Sequence, residues 1–376
     1  TANAGTSGVS GMLVFSSGTT TVGNSGMVMI GSGASTTGRA GSIAVTVGSG
    51  TSGSGGYVRI QSGRSTIHTG GALTVESGEG TATSSGSIKI RTSNSGTSGV
   101  SGMLVFSSGT SNGGNSGMVM IGSGGATGGR GGSVQVTVGS GTSGSGGYVR
   151  IESGYTTDAG AGAGGAIIVE AGMSASATGG SVTVESGEGT ATSSGSVKVR
   201  SANAGTSGVS GMLVFSSGTT SVGNSGMVII GSGSATAGRG GSIAVTVGSG
   251  TSGSGGYVRV ESGRSTVHTG GALTVESGEG TATSSGSIKI RTSNSGTSGV
   301  SGMLVFSSGT TSVGNSGMVM IGSGASTAGR SGSIAVTVGS GTSGSGGYVR
   351  IESGRSTIHT GGALTIESGQ GTASSS

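Results

Sequence analysis

The chain has 376 residues, of which 93 are Gly, and it contains no Pro, Cys or Trp and only 2% aromatic residues. Its net charge of +5 comes from 17 basic and 12 acidic residues that form no polybasic run. This composition excludes disulfide stapling and argues against a nucleic-acid partner, and no apolar run reaches the ~20 residues of a membrane span.

A long repeat divides the sequence. The string GTSGVSGMLVFSSG begins at Gly5, Gly96, Gly205 and Gly296, so successive copies lie 91, 109 and 91 residues apart. Self-similarity of this kind is the signature of a repeat architecture. We therefore expect one continuous solenoid over residues 1–376. Its sequence blocks are 5–95, 96–204, 205–295 and 296–376.

A finer period of 15 residues runs inside each block. In the first block the residue that follows a recurring Gly steps through Met12, Met27, Ser42, Tyr57, Ala72 and Ser87. Positions one and three after this anchor are apolar, as in Leu13 and Phe15, and the position between them varies. Such alternation is typical of a half-buried strand. The sequence predicts an all-β fold, a narrow β-solenoid (β-helix) of about 24 stacked 15-residue coils.

A recurring apolar set occupies the positions expected to face outward on the first two coils of each block. We call it the Met/Val patch. Its members are Met12, Val14, Met27, Met29, Met103, Val105, Met118, Met120, Met212, Val214, Met227, Ile229, Met303, Val305, Met318 and Met320. Exposed apolar patches mark interfaces, and Met adapts well to them. The patch predicts lateral self-association, while the opposite strand parity would place it in a second internal core.

A column of Thr lies nine or ten residues after the anchor in 20 of 24 coils, the exceptions being Asn112, Ala175, Ser221 and Ser312. Its first members are Thr21, Thr36, Thr51, Thr66 and Thr81. An inward column would form a ladder whose methyl groups pack in the core. An outward column on 15-residue coils resembles the hyperactive insect antifreeze proteins, which implies an ice-binding face. Both readings stay open at this point.

Charged residues on neighbouring coils are opposed by the predicted stacking. Glu76 faces Arg91, and Arg64 faces Glu79, which predicts ion pairs that set the register of the coils. No constellation suited to catalysis is present: His68, His268 and His359 lie one per block and far apart, and the single Asp, Asp158, excludes Asp-rich calcium repeats. We expect no enzyme activity, cofactor or metal.

The phrases SGSGG, ESGEGTATSSGS and VGSGTSGSGGYVRI resemble Gly/Ser/Thr-rich repeat proteins of microalgae and other microbes. That resemblance implies cell-surface or fibre material. We therefore expect a structural shaft or scaffold subunit of an extracellular filament, sheath or cell-surface fibre, whose partners are further copies or related solenoid chains. The alternative is a binding module such as an adhesin stalk, a viral fibre or an ice-binding protein.

Overall fold

The computed structural model of the chain describes residues 8–157, 162–206 and 208–370, so Asp158 lies outside the described residues. Across these ranges the backbone forms neither a helix nor a strand. The predicted all-β fold, a β-solenoid of about 24 stacked coils, is therefore wrong. The described chain is irregular, and the structural feature that recurs along its sequence is a short loop.

Bends mark the repeat in the backbone. The first four lie at 21–23, 36–38, 51–53 and 66–68, which is a spacing of 15 residues. Each begins at a member of the Thr column, where a second strand-like segment was expected. The 15-residue period is thus a period of bends separated by irregular segments.

Backbone hydrogen bonds close many of these bends into loops. The Gly86 N–H donates to the Gly78 carbonyl at 2.9 Å, and the bend at 81–83 lies between the two residues. In another loop the Gly41 N–H donates to the Gly33 carbonyl at 3.3 Å, and the Ser32 hydroxyl donates to the Gly41 carbonyl at 3.0 Å. The last residue of each of these loops is therefore hydrogen-bonded to the start of the same loop.

Local closure explains why the predicted strands do not form. A stacked solenoid requires the N–H and C=O groups of one coil to pair with those of the next. In the described loops the bonded Gly residues instead lie close along the chain, eight positions apart in most loops, as for Gly86 and Gly78, and eleven apart for Gly165 and Gly154. Glycine also loses more conformational entropy than any other residue when it is fixed in a strand. With 93 Gly residues, this chain would incur that entropic cost in every coil of a solenoid.

No side chain in the described ranges is buried, so the half-buried strands that the alternation predicts form no core there. A single copy exposes 37073 Å². A compact chain of 34.6 kDa would expose about 13,000 Å², and the unfolded chain about 50,000 Å². One copy alone therefore keeps about three-quarters of its unfolded surface in contact with water.

The chain divides into two units, Thr1–Glu185 and Ser186–Ser376. Both contain the same kind of closed loop: the Gly286 N–H donates to the Gly278 carbonyl at 2.9 Å in the second unit, as Gly86 does in the first. The division falls inside the second sequence block. Within the described ranges there is no helix with the length and apolarity needed to cross a membrane.

Candidate assembly surface

The Met/Val patch is exposed in all four blocks. In the second coil of the first block, the exposed fraction is 78% for Met27, 52% for Val28, 77% for Met29 and 72% for Ile30. Val28 is thus partly covered between two open neighbours, as alternation predicts, whereas Ile30 is as open as Met29. In the other blocks the equivalent Val is likewise the least exposed of the four residues. Apolar groups are consequently available to a partner at both kinds of position.

An open apolar cavity lies next to the patch in the first unit. Its volume is about 690 Å³, and its lining residues are Ile88, Phe106, Val119, Met120, Ile121 and Gly122. Met120 was expected to face outward and Ile121 inward, yet both line this cavity. The inward and outward sets of the predicted strand therefore merge into one apolar surface here.

The predicted Thr ladder residues Thr21, Thr36, Thr51, Thr66 and Thr81 each occupy the first position of a bend. Their hydroxyls make no hydrogen bonds with one another in the described part of the chain. Neighbouring polar groups stabilise some of these bends instead: the Thr20 hydroxyl donates to the Val22 carbonyl at 2.9 Å. The structure therefore places the column in separate loops.

Ion pairs occur within segments. Arg150 pairs with Glu152, Arg259 with Glu261 and Arg350 with Glu352, each two residues apart. All of these side chains are largely exposed, so each pair contributes only ~0–1 kcal/mol.

The expected pairs Glu76–Arg91 and Arg64–Glu79 are not among the ion pairs of the described residues. Both depended on stacked coils, which the structure lacks.

The described ranges hold no group of three or more His, Cys, Asp or Glu side chains that could bind a metal ion. The three histidines lie in equivalent loops, where the His68 N–H donates to the Ser65 hydroxyl at 2.9 Å and His268 and His359 repeat the contact. These residues are therefore placed by loop geometry, one in each of three loops.

Comparison with known proteins gave no relationship that assigns a role. No protein-family model matches the chain, and neither the curated proteins nor the solved structures contain a match to it. The functional argument therefore depends on the chain's own surface.

Proposed function

We propose that the chain is a non-enzymatic structural repeat protein of an extracellular or cell-surface filament, sheath or fibre, and that it self-associates through the Met/Val patches. The observation that carries the proposal is the fourfold recurrence of this exposed apolar set on a chain whose described residues bury no side chain. The extracellular location is supported by the resemblance to Gly/Ser/Thr-rich surface repeat proteins.

The energetics favour an assembly that uses several patches at once. Complete burial of one Met or Val side chain contributes about 1.5–3 kcal/mol, so the four residues of one patch contribute at most about 6–12 kcal/mol. Association costs about 4–15 kcal/mol in lost translational and rotational freedom. A single patch therefore roughly breaks even, whereas later patches on the same chain bind at high effective concentration.

A second copy is the partner that this surface fits best. The patch keeps nearly the same composition in every block, with Ile229 as the one replacement of a Met by a branched residue. A flexible thioether side chain fills irregular gaps, so the Met residues of two copies can pack against one another. Every copy of the chain brings four such patches, so growth can continue after the first pairing.

Electron microscopy and sedimentation velocity together test the proposal. The test variant carries one Lys in each patch: Met27→Lys, Met118→Lys, Met227→Lys and Met318→Lys. The matched control adds four Lys at the same anchor column outside the patches: Tyr57→Lys, Tyr148→Lys, Tyr257→Lys and Tyr348→Lys. We expect the wild type and the control to form large ordered assemblies as concentration rises, and the test variant to stay monomeric because a buried ammonium is costly.

Two results would contradict the proposal. One is a wild-type chain that remains monomeric at all concentrations. The other is a test variant that assembles as readily as the Tyr control, because the patches would then not form the contact. Thermal hysteresis from monomeric wild-type chains would favour the ice-binding alternative in their place.

A further inference from the structure

Three polar cavities recur at equivalent places in the repeat. Each is lined by four consecutive residues: an Arg, a hydroxyl residue, a small residue and an Asn. Their linings are Arg91–Asn94, Arg200–Asn203 and Arg291–Asn294, and their volumes are about 200, 300 and 210 Å³ respectively. One cavity belongs to the first unit and two belong to the second. The same local sequence therefore builds the same concave surface three times.

Each cavity lining includes several hydrogen-bond donors. In the first cavity Arg91 offers the planar guanidinium fork, Thr92 a hydroxyl and Asn94 a side-chain amide. No acidic residue is part of any of the three linings. A guanidinium fork matches the spacing of two oxygens on a tetrahedral or planar oxyanion. The donor set therefore fits the oxygens of a sulfate or phosphate group.

The charge of these Arg residues is not compensated within the described part of the chain. Arg150 is paired with Glu152, whereas Arg91 has no ion pair there, and neither has its counterpart in the other two cavities. A Lys also precedes each cavity Arg by two positions, as Lys89 precedes Arg91. Each site thus brings two positive charges to one short stretch of chain.

We propose that each of these cavities binds an oxyanion, a sulfate or phosphate group, and that the biological ligand is a polyanionic polymer that carries such groups. One exposed charged contact is weak, so a single site binds a free ion only at high concentration. A polymer that contacts both sites of the second unit binds more tightly than a free ion, because its second contact forms intramolecularly. The inference is separate from self-association, since it uses none of the Met/Val patch residues.

Titration of the wild-type chain with inorganic sulfate, and separately with inorganic phosphate, tests the sites by NMR. We expect the side-chain amide signals of Asn94, Asn203 and Asn294 to shift in a saturable way. Asn24 is the internal control, because it lines a polar cavity of about 510 Å³ that contains no Arg. Equal shifts at Asn24 and the three site residues, or no shift at any of them, would overturn the proposal.

A binding experiment with dextran sulfate and inorganic polyphosphate separates the two sources of the oxyanion, with neutral dextran as the negative polymer. The test variant is Arg91→Gln, Arg200→Gln and Arg291→Gln. The control, Arg64→Gln, Arg264→Gln and Arg355→Gln, removes the same charge from Arg residues outside the three cavities. We expect the test variant to lose about tenfold in affinity for the polymer that the wild type binds, and the control to lose less than about twofold.

The patches are intact in both Arg variants, so assembly by sedimentation shows whether the chain still behaves as the wild type. Binding of dextran sulfate alone identifies a sulfate group as the ligand, and binding of polyphosphate alone identifies a phosphate group. The proposal is refuted if neither polymer binds the wild type, or if both variants lose affinity equally, because a diffuse positive charge would then account for the binding.

Discussion

Replacement of Gly80 by Ala should open the loop that the Gly86–Gly78 hydrogen bond closes. A Cβ at Gly80 would lie 2.7 Å from the Ser84 carbonyl carbon and 2.8 Å from the Thr83 carbonyl oxygen. Comfortable separations between such atoms are ~3.5–4.0 Å, so the backbone at 83–84 must move by about 0.7–1 Å. No flexible side chain can absorb that movement, because the atoms in contact are backbone atoms.

The movement is large enough to break the bond. The Gly86 nitrogen lies 2.9 Å from the Gly78 oxygen, and N–H···O bonds weaken beyond ~3.2 Å. Loss of one such bond costs about 0.5–1.5 kcal/mol, which corresponds to an increase of ~2–12-fold in the exchange rate of the Gly86 amide. Hydrogen exchange followed by NMR measures that rate directly. Gly189 and Gly280 repeat the same contacts, so the second unit provides an independent test.

Gly78→Ala is the matched control. Its added methyl group would meet no atom within 4 Å, and its carbonyl remains available to Gly86. We expect the Gly86 amide to exchange at the wild-type rate or more slowly, because Ala also restricts the open chain. The account of loop closure is refuted if Gly80→Ala leaves the exchange of Gly86 unchanged, or if both variants accelerate it equally.

The remaining predictions concern other local contacts. Ser32→Ala removes the hydroxyl that donates to the Gly41 carbonyl at 3.0 Å, and we expect the Gly41 amide to exchange ~2–10-fold faster by NMR. Gly23 has a φ of +100°, so Gly23→Ala should strain the bend at 21–23 and shift its NMR signals. Gly31→Ala is the control, because a Cβ at Gly31 meets no atom within 4 Å, and it should leave those signals unchanged. Equal shifts in both variants would contradict the assignment of strain to Gly23. Arg150→Gln removes an exposed ion pair and should leave amide exchange in neighbouring loops unchanged at low and high salt; a slower or faster rate would show that the pair holds the loop.

The 15-residue period of the structure could be predicted from the sequence, but the partners of the backbone hydrogen-bonding groups could not. The 15-residue spacing and the Thr column locate the bends, because small and polar residues such as those at 49–55 favour loops. The alternation at Met12–Phe15 is compatible with a strand, yet a strand also needs a partner. Alternation carries no information on whether a coil pairs with the next coil or closes on itself, as Gly33 and Gly41 do.

The predicted pairing of charged residues also depended on the pairing of coils. Glu76 and Arg91 lie opposite each other only if successive coils form a ladder. In an unpaired segment the accessible partner is two positions away along the chain, which is the relation between Arg150 and Glu152. The three Arg-to-Asn cavities were missed for a related reason. Their signal is a recurring Arg, hydroxyl residue, small residue and Asn, which neither the alternation nor the Thr column singles out.

The two periods of the sequence act on different levels of structure. The 15-residue period produces loops that need only their own Gly backbone groups, so it can continue for any number of repeats without a core. The longer block period decides which segments between loops carry Met and Val and which carry Lys and Arg. Because a single copy leaves about three-quarters of its unfolded surface exposed, the proposed self-association would add hydrophobic stabilisation that one copy lacks. In the proposed assembly, the block period would therefore determine stability as well as association.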